Sequence, residues 1–306
     1  MRALRWLGLG LGGLVAAALL IVLGLAALAE WQRYRAPPRT APLTFEVLPS
    51  GASASASASA SAPVLILLHG AGLNGHMWDA VRRHLDPRWR VIALDLPNHG
   101  SRRDEVFTLY AAVATVAEAA RSVAPAPVLL VGDSLGGYTA MAAASALPRE
   151  QLRGLVLAGS SGQRGIGQVF GYLQGLVFTR ILSLRFSESE FAARALPIFG
   201  VSEADRPAIT AAGVNTSAVP TAVRGLLFFD FRSALAAVEQ PVLIVNGDLD
   251  RGAIEGEAAL VAAARQATTY RFENTGHGVS MRRSAEFAAV VNDFAARTLL
   301  APSSKP

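Results

Sequence analysis

Short Val/Ile/Leu-rich runs return at intervals from residue 63 onward, and this alternation restricts the fold more than any other feature. The runs cover 64–68, 89–96, 127–132, 153–158 and 241–246, with a weaker one at 268–272. Helical patterns separate most of them, at about 76–85, 107–122, 135–146, 255–265 and 282–298. A strand that is apolar on both faces must be covered on both, as in a parallel sheet between helical layers. The expected fold class is therefore α/β, with a mostly parallel central sheet and helices on both faces. Ligands of such sheets bind beyond the carboxyl ends of the strands. A chain of 306 residues has room for one such domain plus attachments.

One interval breaks the rhythm. Between Ser160 and Pro241 no run looks like a buried parallel strand, yet eight of the 13 phenylalanines lie there. They are Phe170, Phe178, Phe186, Phe191, Phe199, Phe228, Phe229 and Phe231. An inserted helical lid with an apolar underside, lying over the carboxyl edge of the sheet, accounts for them.

The N-terminus has a different character. Trp6 to Ala29 is apolar without one charge, longer than the ~20 residues that a membrane-spanning helix takes. Arg2 and Arg5 precede it, Glu30, Arg33, Arg35 and Arg39 follow, and Trp6, Trp31 and Tyr34 stand at its borders as interface anchors. The expectation is a single-pass transmembrane helix with the main domain on the extracytoplasmic side. The rival reading is a signal peptide cleaved near Ala29, whose hydrophobic region is usually only ~7–15 residues. Within the run, Gly8 to Gly13 fits G-x-G-x-x-G, but no strand precedes it and no βαβ unit contains it, so it is not read as a dinucleotide site. The expected organisation is an anchor at 1–30, a Pro-rich linker at 31–42, a first core segment at 43–160, a lid at 161–238, a second core segment at 239–300 and a tail at 301–306. Within the first segment, "LTFEVL" at 43–48 reads as a strand. The Ser-Ala tract at 50–62 reads as an expanded hairpin loop before the next strand.

Composition excludes some chemistry. The chain has no cysteine, so it has neither a thiolate nucleophile nor thiolate metal ligands. Its net charge of +5 does not read as a nucleic-acid footprint, because Lys305 is the sole lysine and the arginines are scattered. A negatively charged membrane surface would suit the same charge.

The chemistry-bearing motifs fall where strands end. Gly132-Asp133-Ser134-Leu135-Gly136 is G-x-S-x-G between a strand and a helix, a turn that aims the serine out of the sheet. A serine needs a base to take its proton. His277, in "ENTGHGVSM" after the last strand-like run, is the candidate. His69 and His99 read as loop-ordering residues, and His76 and His84 as surface ones. The base needs an acid to hold its tautomer, and "PVLIVNGDLD" supplies Asp250, with Asp248 as the fallback. The N–H groups of Leu135 and Ala71 would hold an oxyanion.

These pieces, His69-Gly70, "LDLPNHGSR", "GDSLGG", "NGDLD" and Gly276-His277, resemble the α/β-hydrolase fold superfamily in its lidded single-domain form, over about residues 43 to 300. Dehalogenases and epoxide hydrolases of that fold match less well, since they carry an acidic nucleophile where this chain has Ser134. "DLPNHGSR" departs from the family's D-x-P-G-H-G-x-S, with Asn98 in place of glycine and Ser101 one position early. The resemblance implies a serine hydrolase of the carboxylesterase or lipase kind, and the N-terminal run, which the resemblance does not cover, would tether it to a membrane. It would cleave an apolar acyl or aromatic ester through an acyl-enzyme, without metal or cofactor. The alternatives are hydrolysis of a carbon–carbon bond in a dicarbonyl substrate, and a non-catalytic hydrolase-like binding domain at a membrane.

Overall fold

The computed structural model describes residues 16–28, 30–31, 43–50, 61–162 and 166–300. Seven strands form one sheet in the order β1-β3-β2-β4-β5-β6-β7. They are β1 (Leu48–Pro49), β2 (Val64–Leu68), β3 (Arg90–Leu94), β4 (Val128–Asp133), β5 (Leu152–Ala158), β6 (Val242–Gly247) and β7 (Ala267–Phe272). All neighbours are parallel except the edge pair β1–β3. All six expected parallel strands form, each within a few residues of its apolar run.

Period-two alternation divides each central strand between two cores. Val64, Ile66 and Leu68 of β2 join Val128 and Leu130 of β4 on one face. Leu65, Leu67, Leu129 and Val131 point to the other. The first face is covered by α2 (Leu109–Ser122), α3 (Leu135–Ala143), α8 (Phe231–Ala236) and Leu260 of α9 (Arg251–Ala263). The second is covered by Trp78, by α1 (Asp79–Arg82) and by the paired C-terminal helices α10 (Val279–Arg282) and α11 (Ser284–Leu299). Helix α2 starts where the Thr108 side chain accepts the Ala111 N–H, the usual N-cap.

Between β5 and β6 the chain leaves the sheet and builds α4 (Ile166–Arg185), α5 (Glu188–Ile198), α6 (Arg206–Ala212) and α7 (Ala218–Leu226). A capping box at Ser187 and Glu190 starts α5. The expected lid at 161–238 is too long at its end. Helix α8 belongs to the helical layer, because Phe231 and Leu235 are buried in the same core as Leu157 and Ile244.

One further expectation changes, and another is not met among the described residues. Of the run 43–48 only Leu48 pairs, with Pro49 just beyond it, antiparallel to β3, and residues 43–47 form no strand. They stand off the sheet edge and leave a cavity of about 580 Å³, lined by Thr44, Phe45, Ile92, Asp95 and Arg102 among others. Pairing requires a partner within hydrogen-bonding reach, and an apolar pattern does not supply one. The expected transmembrane helix is not found among the described residues, where no helix is long and apolar enough to cross a membrane. Residues 16–28 are helical but shorter than the ~20 residues needed, and the start of the expected span at Trp6 lies outside the described residues. The Ser-Ala tract from residue 51 to 60 also lies outside them.

Candidate active site

Strand β4 runs into α3 with Ser134 alone between them, at φ 52° and ψ −111°. This is a costly conformation for a residue with a Cβ, and such outliers cluster at functional sites. The turn closes because its neighbours are small: a Cβ on Gly132 would overlap the Gly136 backbone, and one on Gly136 would overlap the Leu68 carbonyl. The Ser134 N–H donates to the Ala158 carbonyl at 2.7 Å, tying the turn to β5. The next residue, Leu135, opens α3, whose first N–H groups have no partner within the helix.

His277 lies between β7 and α10. Its Nδ1 is 2.7 Å from Asp250 Oδ2, so in the matching tautomer Nδ1–H donates to the carboxylate. Asp250 precedes α9 and accepts the Ala253 N–H with Oδ1 at 3.3 Å. Asp248 has another partner, accepting the Thr275 N–H at 3.1 Å. Gly159 lies against the imidazole, where a Cβ would come within 3.0 Å of His277 Cε1. Its N–H donates to Asn246 Oδ1 at 3.2 Å. Asn246 in turn donates to Glu257 at 2.7 Å. The packing surface for the imidazole is thus held by a buried polar chain.

The charges are coupled. The hydrogen bond donated to Asp250 raises the His277 imidazole above its ordinary value against the effect of burial, and the Asp133 charge adds to the rise. Burial alone would push Asp250 upward, but the hydrogen bond and charge of His277 hold its carboxyl below the usual range.

A cavity of about 300 Å³ brings these groups together. Gly70, Ala71, Asp133, Ser134 and His277 line one side, and Phe178, Leu182, Phe191, Phe199, Val214 and Val219 the other. Three of the eight lid phenylalanines therefore face the site. Phe231 lies in the core, while Phe170 and Phe228 are exposed. Ala71 reaches the cavity directly after His69-Gly70, on the loop following β2.

His69 and His99 order loops, as expected. His69 is buried, its Nδ1 2.8 Å from the Gly70 carbonyl, and its Nε2 accepts the Leu96 N–H at 3.0 Å. Burial lowers its basicity. Burial likewise lowers His99 to about 3, leaving both imidazoles neutral.

Asp133 received no role from its sequence. It is 2 % exposed, accepts the Ser280 hydroxyl at 2.5 Å, and is pushed upward by burial. It ties the end of β4 to the helix that follows His277. The only signal in the chain was its position beside Ser134, because Ser280 is 147 residues away.

Known proteins share this architecture. A family model described as "Alpha/beta hydrolase family" matches residues 65–290, and the chain belongs to that family. A pimeloyl-[acyl-carrier protein] methyl ester esterase from Stenotrophomonas maltophilia (strain R551-3) is 30 % identical over 249 residues, 76 % of this chain and 93 % of that protein. A thermophilic esterase from Thermogutta terrifontis superposes with a TM-score of 0.63 at 22 % identity, covering 83 % of this chain and 93 % of the other. MenH from S. aureus superposes with a TM-score of 0.65 at 18 % identity, covering 83 % and 98 %. The expectation of a hydrolase of this fold holds.

Proposed function

We propose that the chain is a serine carboxylic ester hydrolase, held at a membrane by its apolar N-terminal run, with the catalytic domain on the extracytoplasmic side. The observation that carries the chemistry is the Asp250–His277 pair at 2.7 Å, opening on the same apolar cavity as Ser134. Ser134 Oγ attacks the ester carbonyl while His277 Nε2 takes its proton. The oxyanion is held by the N–H groups of Leu135 and Ala71. The tetrahedral intermediate collapses, the C–O bond to the alcohol breaks, and His277 returns the proton to the leaving oxygen. Water then attacks the acyl-enzyme by the same route, releasing the acid and restoring Ser134.

The phenylalanine-rich wall of the cavity favours an acyl or aromatic ester. The esterase relatives support ester over carbon–carbon bond cleavage. Intact-mass analysis after treatment with a small fluorophosphonate is the test. One adduct on wild type, absent in Ser134→Ala and strongly slowed in His277→Ala, is the expected outcome. An unlabelled folded wild type sinks the reading and favours a non-catalytic domain.

A further inference from the structure

Helix α4 is apolar on two sides. Inward, Tyr172 is buried, and Phe178 and Leu182 form part of the cavity wall above Ser134. Outward, Phe170 is 74 % exposed, Phe178 59 %, Ile181 57 % and Leu184 76 %. At 3.6 residues per turn these four fall within roughly 120° of the helix circumference. Contiguous apolar surface of this kind marks a contact site. The charge pattern says with what. Helix α4 has no acidic residue, its charges are Arg180 and Arg185, and both are exposed. Large apolar side chains beside arginine, with no acid, suit a helix lying in the headgroup region of an anionic bilayer.

The N-terminal segment supplies a second, independent observation. Leu19, Leu20, Ile21 and Leu23 of the helical stretch 16–28 are exposed. Leu25 and Leu28 share a groove with Leu176, Thr179 and Arg180 of α4. Just beyond, Glu30 pairs with Arg224 of α7 at 2.7 Å. The described end of the apolar run, residues 16–28, thus shares a groove and an adjoining ion pair with the lid, so a lipid phase that receives Leu19 to Leu23 comes up to the lid helices.

We propose that the outer face of the lid rests on an anionic lipid surface, so that the site draws lipid-borne acyl esters from the bilayer. Phe178, both exposed and part of the cavity wall, stands at the entry. The substrate class rests on the ester-hydrolase reading above, whereas the lipid contact itself does not.

The chain has no cysteine, so a single introduced one can be labelled cleanly with an environment-sensitive dye. Full-length Leu184→Cys would be compared with Tyr110→Cys, which is 85 % exposed on α2, in phosphatidylcholine/phosphatidylglycerol vesicles carrying nitroxide lipid. The expected result is a blue-shifted dye at 184, quenched by half or more, and an unchanged dye at 110. Equal, unquenched emission at both positions overturns the proposal. So does a dye at 184 that responds to an acidic carrier protein in solution and not to lipid. In a second arm, Ile181→Asp with Leu184→Asp should cut turnover of a vesicle-dissolved long-chain ester tenfold or more. Turnover of a water-soluble short ester should stay within twofold, and equal losses on both esters would overturn the entry route. If wild type hydrolyses neither ester, the hydrolase reading fails while the quenching still reports on the contact.

Discussion

Asp250 divides its carboxylate between two partners: Oδ2 meets His277 Nδ1 at 2.7 Å, and Oδ1 accepts the Ala253 N–H that opens α9. The helix therefore fixes the orientation of the acid, and the positive end of its dipole favours the charged form. An asparagine at this position could keep the cap but would present an amide, with no charge, to the imidazolium. Asp250→Asn is expected to lower kcat about 10³–10⁴-fold. Asp248→Asn keeps an oxygen to accept the Thr275 N–H and should leave turnover near wild type. Equal losses in the two variants would reverse the assignment.

The pH dependence of activity follows from the same pair. His277 must be neutral to act as base, and its basicity is raised chiefly by Asp250. The acid limb of kcat/KM should therefore lie above about 6.5, the ordinary imidazole value. In Asp250→Asn the limb should move to lower pH. A limb that stays in place would mean that another group controls it.

Stability carries a matching signature. A raised His277 contributes stability below about pH 6.5 and loses it as pH climbs through the folded value. A lowered Asp250 contributes above about pH 3.9 and loses it as pH falls through its own folded value. Both contributions are present between those limits. His277→Gln should then lower Tm most near about pH 5–6, with the deficit shrinking as pH climbs through the raised folded value of His277. A deficit constant across that range would show that the pair adds nothing through its charges.

Strain at Ser134 predicts a trade of activity for stability. At φ 52° and ψ −111° a glycine rests more easily, while alanine keeps the Cβ and the strain. Ser134→Gly is expected to abolish turnover and stabilise by about 1 kcal/mol, with Ser134→Ala abolishing turnover without that gain. Equilibrium urea unfolding of the two variants decides the matter, and equal midpoints would count against strain.

Behind the base, Glu257 is 5 % exposed and accepts from Asn246 and from Arg271, which is 55 % exposed. Arg271→Ala leaves a buried carboxylate with less compensation and should lower the unfolding midpoint. Because Asn246 also holds the Gly159 N–H beneath His277, kcat should fall with stability. If kcat is unchanged while the unfolding midpoint drops, the chain from Glu257 to the imidazole has no positioning role.

Much of this was legible along the chain because it is written in local patterns. Val64, Ile66 and Leu68 share one core while Leu65 and Leu67 share the other, and that dual burial makes the run continuously apolar. Ser134, Asp250 and His277 each sit just past a strand, where a parallel sheet gathers its ligand groups. What could not be read depends on partners distant in sequence. Residues 43–47 have a strand's composition but no neighbour to pair with, and the link from Asp133 to Ser280 joins opposite ends of the domain. Phe231 looked like its neighbours in the lid, yet its helix docks on α3 and α9.

The lid leaves the sheet after β5 and rejoins it before β6, between Ser134 and Asp250 in the chain. The stretch that shapes the apolar wall of the cavity is thus one uninterrupted block of sequence, while Ser134, Asp250 and His277 lie outside it. Mutations there can accumulate, or the whole block can be exchanged, while the inheritance of the reaction itself stays intact. An enzyme built this way can change its diet without relearning its trade.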